Sequence, residues 1–161
     1  MCRHLYSNLY DIKTLIIRLS NPYGPYHYSQ KQGVINIALE KAIKGETLEI
    51  WGDGNGRKDY IFINDVSKVL FSLIEKGYED YTVINLGSGI LLSVNEIVQT
   101  IHDSYFQDFN WNYRYVNKLD VNSFKLNLSK LTSYLPGLRF TSFDNGLKQT
   151  MDWYVNRLNL K

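Results

Sequence analysis

Asn21 stands where the run Thr14-Leu15-Ile16-Ile17-Arg18-Leu19 gives way to Asn21-Pro22-Tyr23-Gly24-Pro25. Two prolines and a glycine there forbid regular structure and set a tight turn. A neutral amide that both donates and accepts, held at the carboxyl end of a buried strand, suits a ligand, because open parallel α/β sheets bind ligands at that end. The alternative is an Asn that merely initiates a turn before Pro. Two adjacent cations, Arg57 and Lys58, follow the stretch Gly52-Asp53-Gly54-Asn55-Gly56. Strand neighbours point to opposite faces, so only one of the pair reaches a shared anionic ligand unless the strand bulges; otherwise both are solvated cations flanking a turn. Asp59, Asp65 and Asp120 read as caps and turn acceptors rather than a catalytic pair. No Ser, His and Asp set suggests a hydrolase, and His27, between Tyr26 and Tyr28, reads as loop surface. Cys2 shares no metal-ligand spacing with His4, His27 or His102, so no metal is expected.

These residues need elements to carry them. Thr14 to Leu19 is a nearly continuous apolar, β-branched run, which predicts a strand buried on both faces as in a parallel sheet. From Val34 the apolar residues recur at helical spacing to Ile43, and Gly45 closes that helix. Leu48–Trp51 and Asp59–Ile63 read as two strands of a hairpin-like excursion around the glycine turn. Asn64 or Asp65 is placed to cap the next helix, with Val66, Val69, Leu70, Leu73 and Ile74 on one face and Gly77 at its end. Thr82–Leu86 reads as a strand. Ser93 with Glu96 three residues on is a capping-box pattern opening a helix through Ile101. Asn110–Val116 reads as a strand, the stretch to Asn127 as a loop, Leu128–Leu135 as a short helix stopped by Pro136, and Phe143 to Leu158 as a last amphipathic helix. Alternating strands and helices predict an α/β domain. The first strand is of a kind buried in a multistranded sheet, yet few strands follow it; it reads as the last strand of a sheet whose other members lie elsewhere.

The 161 residues are 44% hydrophobic, enough for the core of one ordinary domain. Net charge is +2, with 18 Lys and Arg interleaved among 16 Asp and Glu, so no basic stripe offers nucleic acid a footprint. No apolar stretch approaches the roughly 20 residues of a membrane helix and no signal peptide opens the chain, so a cytoplasmic protein without a membrane partner is expected.

Arg18 to Pro25, then Ile50-Trp51-Gly52-Asp53-Gly54, then Asp59-Tyr60-Ile61-Phe62-Ile63-Asn64-Asp65-Val66, Asn85 to Gly89 with Ser93, and Gly146, Leu147 and Trp153 follow one another in register. Together they resemble the extended short-chain dehydrogenase/reductase family, most closely its UDP-glucose 4-epimerases and related nucleotide-sugar enzymes of capsule and O-antigen synthesis. The resemblance implies an α/β chain that is the carboxyl-terminal, substrate-binding portion of a Rossmann-type enzyme: residues 1–25 the last part of the Rossmann sheet, 26–161 the nucleotide-sugar region, together one domain. Members begin with an NAD-binding half whose glycine fingerprint seats the cofactor pyrophosphate on a helix N-terminus, and they carry a Tyr and a Lys four residues apart that act on the sugar hydroxyl. Neither pattern occurs here. The expectation is therefore an amino-terminally truncated gene product, or a chain cut there deliberately, that has no catalytic residues, is inactive alone and holds NAD weakly if at all. NAD would serve the full-length enzyme, which takes hydride from C4 of a UDP-hexose and returns it to the opposite face; 4,6-dehydration, decarboxylation or reduction of another nucleotide sugar, or a non-catalytic binding module, are the alternatives.

The same resemblance assigns site residues. Asn21 matches a substrate-contacting Asn, and the backbone of Leu19 and Ser20 a contact to the nicotinamide amide. Lys58 stands where members have an Arg for the diphosphate, with Arg57 second. Val34, Ile35 and Trp51 match positions that wall the base, although helix core and plain strand packing are their other readings. A second family Arg is replaced by Asn117, beside Lys118. The open edge of the first strand would favour a homodimer.

Overall fold

In a computed structural model, residues 9–27, 32–79, 82–115 and 123–159 are described. Strands β1 (Leu15–Leu19) and β2 (Asn21–Tyr23) lead to helix α1 (Val34–Lys44), followed by β3 (Leu48–Trp51), β4 (Arg57–Phe62), α2 (Ile63–Lys76), β5 (Thr82–Leu86), β6 (Leu91–Ser93), α3 (Val94–Ser104), β7 (Trp111–Arg114), β8 (Ser123–Phe124), α4 (Ser129–Tyr134) and α5 (Phe143–Asn159). This is a mixed α/β fold, as the alternation predicts.

β1 pairs in parallel with β5, Leu15 opposite Thr82 through Leu19 opposite Leu86. Among the described residues β5 is its one strand neighbour. Burial on both faces is only partly realised: Leu15, Ile16 and Ile17 are half-buried, whereas Arg18 and Leu19 are exposed. The expected hairpin does not form. β3 pairs in parallel with β7, while β4 joins a separate sheet in which β2 and β8 run parallel to it and β6 antiparallel. The glycine turn thus carries the chain from one sheet to another, and turn composition alone does not distinguish that from a hairpin.

β4 divides two apolar cores. Tyr60 and Phe62 pack with Tyr23, Ile35, Leu39, Ile50, Ile97 and Leu147, between α1, α3 and α5. Ile61, between them in sequence, packs with Val69, Leu73, Ile84, Leu86 and Leu131, beneath α2 and α4. The two-residue period of a strand sends adjacent side chains to opposite faces, and here each face meets a core of its own.

Helix ends follow local chemistry where it is strong. The capping box of α3 is complete: the Ser93 hydroxyl accepts from the Glu96 N–H at 3.1 Å, and the Glu96 carboxylate accepts from the Ser93 N–H at 2.7 Å. α1 closes at Gly45, whose N–H donates to the Ala42 carbonyl. Neither Asn64 nor Asp65 caps α2, which begins at Ile63, directly after β4, with no side-chain cap at Phe62. Asp65 is instead buried and accepts from the Thr141 N–H at 2.7 Å and its hydroxyl at 2.9 Å, tying α2 to the segment before α5.

Candidate functional site

Asn21, Pro22 and Tyr23 do not form the turn expected of a proline-rich stretch but the short strand β2, parallel to β4, with Pro22 tolerated at an edge, and the segment after β1 is fastened to β4 through one residue. Asn21 donates its side-chain N–H to the Asp59 carbonyl at 2.8 Å, and Ser20 donates its hydroxyl to the Asp59 carboxylate at 3.3 Å. That carboxylate is fully buried and gathers three further donors: the Ser88 N–H at 2.9 Å, the Ser88 hydroxyl at 3.0 Å and the Gly89 N–H at 3.0 Å. A buried carboxylate is tolerable only when its lone pairs are filled this way. The hub needs Gly87 beside it, since a Cβ there would lie 2.5 Å from the Asp59 Oδ2. Sequence reading placed Asp59 as a turn acceptor but missed its partners, which lie 29 to 39 residues away in the chain.

The cations sit one and two residues before Asp59. Arg57 is exposed and committed within the chain, with Nη1 3.0 Å from the Glu96 carboxylate and Nη2 donating to the Leu91 carbonyl at 2.8 Å. Lys58 is half-buried on the same strand, opposite Leu92 of β6 and Phe124 of β8. Across the glycine turn, Trp51 is 68% exposed. Its indole N–H donates to Glu49 at 3.1 Å, the same carboxylate lies 3.3 Å from Arg114 Nη1, and the Arg114 guanidinium sits 5.8 Å from the Trp51 ring centroid. β3 and β7 set Trp51 directly opposite Arg114. Trp51 therefore presents an aromatic face braced from the neighbouring strand; Arg114 and Glu49 carry no local motif that singles them out in sequence.

Val34 is half-buried at the first turn of α1, whereas Ile35 is 1% exposed and spent in the first core. Leu19 is 40% exposed beside Ser20. The Ser20 N–H donates to the Leu86 carbonyl at 2.9 Å. The structure thus joins Ser20 and Asn21 to Asp59, the residue after Lys58, sets Trp51 on one side of the glycine turn and Arg57 and Lys58 on the other, and leaves Ile35 interior. Asn117, Lys118 and Asp120 lie outside the described residues.

Two cavities flank this region. One of about 430 Å³ is lined by Pro22 to His27 and Ile63, continuing from Asn21. Another of about 860 Å³ is lined by Gly89 and by Lys125 to Ser129, with Thr132 and Ser133, so Gly89 faces it while its N–H holds Asp59. In the first, Tyr23 is buried, and burial first, then the charges of Asp65 and Asp144, raise its phenol above the usual range. It stays protonated at neutral pH and serves as packing against Phe62 and Phe143. Among the described residues no group of His, Cys, Asp and Glu could hold a metal ion, and no helix is long and apolar enough to cross a membrane.

Parallel strand pairs alternating with helices, with β1 and β2 running on from one another beside β5 and β4, define a Rossmann-like α/β fold. Residues 2–87, more than half of the chain, match the sequence pattern of the NAD dependent epimerase/dehydratase family, and the chain belongs to that family, within the extended short-chain dehydrogenase/reductases. It is 30% identical over 156 residues to a putative UDP-glucose 4-epimerase of Methanocaldococcus jannaschii, covering 94% of this chain and 49% of that protein. It is 26% identical over 159 residues to a dTDP-glucose 4,6-dehydratase of Escherichia coli, covering 91% and 43% respectively. Among solved structures, the UDP-glucose 4-epimerase of Thermotoga maritima with UDP-glucose aligns with a TM-score of 0.81 at 28% identity, over 96% of this chain and 50% of that one. The chain spans about half the length of the curated relatives it matches.

Proposed function

We propose that residues 1–161 are one unit that binds the nucleotide sugar of an NAD-dependent epimerase of the UDP-glucose 4-epimerase type, serving polysaccharide precursor synthesis in the cytoplasm. Residues 1–25 contribute the last part of the Rossmann sheet and 26–161 the nucleotide-sugar region. The observation that carries this reading is the bond from the Asn21 side chain to the Asp59 carbonyl, which joins the segment after β1 to the residue following Lys58. Lys58 takes the diphosphate. Arg57 is the second candidate, because its guanidinium is already engaged by Glu96 and Leu91. Trp51 and Val34 wall the base, with Ile35 supporting Val34 from the core side. Asn21 contacts the sugar.

NAD, when bound to a full-length relative, supplies the hydride acceptor. The residues here do not form a complete cradle for it: no three of the 11 glycines have the fingerprint spacing, and both donors of Ser20 are spent on Leu86 and Asp59. Leu19 offers only an apolar surface for the nicotinamide. What this chain does is bind and orient the sugar nucleotide, and by itself it turns over no substrate.

Calorimetry with UDP-glucose, dTDP-glucose and a GDP-sugar tests the reading. UDP-glucose should bind most tightly, and Lys58→Ala should weaken it about tenfold or more, as expected for loss of a charge-assisted contact to phosphate. Equal heats for all three overturn a specific site. The several dTDP-glucose 4,6-dehydratases among the relatives favour a second reading, a dehydratase, which a preference for dTDP-glucose would select.

A further inference from the structure

The first turn of α3 grips the glycine turn that separates Trp51 from Lys58. Asn95 donates its backbone N–H to the Gly54 carbonyl at 3.2 Å, and its side-chain N–H groups to the Asp53 carbonyl at 3.0 Å and the Asn55 Oδ1 at 2.9 Å. Its own Oδ1 accepts from the Tyr113 hydroxyl at 3.0 Å, so β7, the strand that braces Trp51, also fixes the amide that holds the turn. Gly54 is buried with φ +71°, and a Cβ on it would lie only 2.2 Å from the Asn95 Oδ1. Three bonds from the Asn95 side chain and its N–H thus fix a turn whose composition alone would leave it mobile, and a fourth, from Tyr113, fixes the amide itself. Glu96, the next residue, holds Arg57 at the far end of the same turn.

We infer that Asn95, steadied by Tyr113, is a positioning residue that sets the spacing between the aromatic base wall at Trp51 and the cation at Lys58, and so selects for a ligand that spans a base and a diphosphate. This rests on the nucleotide-sugar reading above. Asn95 touches no ligand; it acts through the turn. Holding two contact points at fixed separation strengthens a ligand that uses both, since the ordering is already done, and leaves a ligand that uses one unaffected.

The test compares UDP, which meets both points, with uridine, which meets only the base wall, by calorimetry for the first and ligand-observed NMR for the second. Asn95→Ala should weaken UDP about tenfold, equivalent to one or two lost bonds, and leave uridine unchanged. Tyr113→Phe, which keeps the ring and removes the hydroxyl that donates to Asn95 and accepts from the Trp111 indole N–H at 3.3 Å, should shift the ratio the same way by less, and guards against loss of fold in the first variant. If either folded variant weakens both ligands equally, or neither, Asn95 has only a structural part and the inference falls while the nucleotide-sugar reading stands. If the unaltered protein binds neither UDP nor uridine, both fall.

Discussion

At the scale of single residues, buried charge and exposed charge divide the labour. Asp59, fully buried, joins three stretches of chain. Asp59→Ala would leave the half-buried Ser88 and Gly89 N–H groups without acceptors, and an unpartnered donor costs about 1 kcal/mol when water still reaches it in part. A loss of about 2 kcal/mol in urea denaturation is expected. Asn21→Ala should cost about 1 kcal/mol through its bond to the Asp59 carbonyl and weaken the ligand as well. Asn21 and Lys58 stand out in the sequence as candidates because their neighbours form contiguous motifs. Asn95 and Tyr113 were not legible, since a hydrogen bond between residues 18 apart leaves no local signature.

At the scale of elements, α3 shows a case where local chemistry and tertiary structure agree. Ser93→Ala should cost about 1 kcal/mol by removing the cap, seen as a lower urea midpoint. The Glu96 carboxyl is held below its usual range, first by the Ser93 N–H, against the opposing effect of burial, and further by the Ser93 hydroxyl and Arg57. A depressed carboxyl stabilises the fold above the unfolded value, and that contribution is lost as pH falls through the folded one. The stability of the protein should therefore decline below about pH 4.5, and Glu96→Gln should show a smaller decline across the same interval. Fluorescence-monitored unfolding from pH 3 to pH 7 would check it. Elsewhere sequence and structure part. Periodicity located α1, α3 and α5, but the pairing of β3 with β7 and of β4 with β2, β6 and β8 depends on partners far along the chain. β8 is two residues long, too short for any pattern.

At the scale of the whole molecule, β1 has among the described residues a strand on one side only, with Leu19 exposed, and Leu9, Tyr10 and Ile12 ahead of it in the chain are exposed too. Such an edge invites pairing with a second copy, so sedimentation should give a dimer at high concentration, and a monomer throughout would refute it. The alternation of strands and helices disclosed the α/β class, but not that the apolar residues divide into two cores, because periodicity reports which face is buried and not against what. That division bears on how the protein comes apart. Because Ile61 belongs to one core and its neighbours Tyr60 and Phe62 to the other, neither can melt while the strand stays in place. Amide exchange in α2 and in α3, which sit over different cores, should therefore share one opening free energy, and the chain should behave as a single cooperative unit, not as two lobes that unravel in turn.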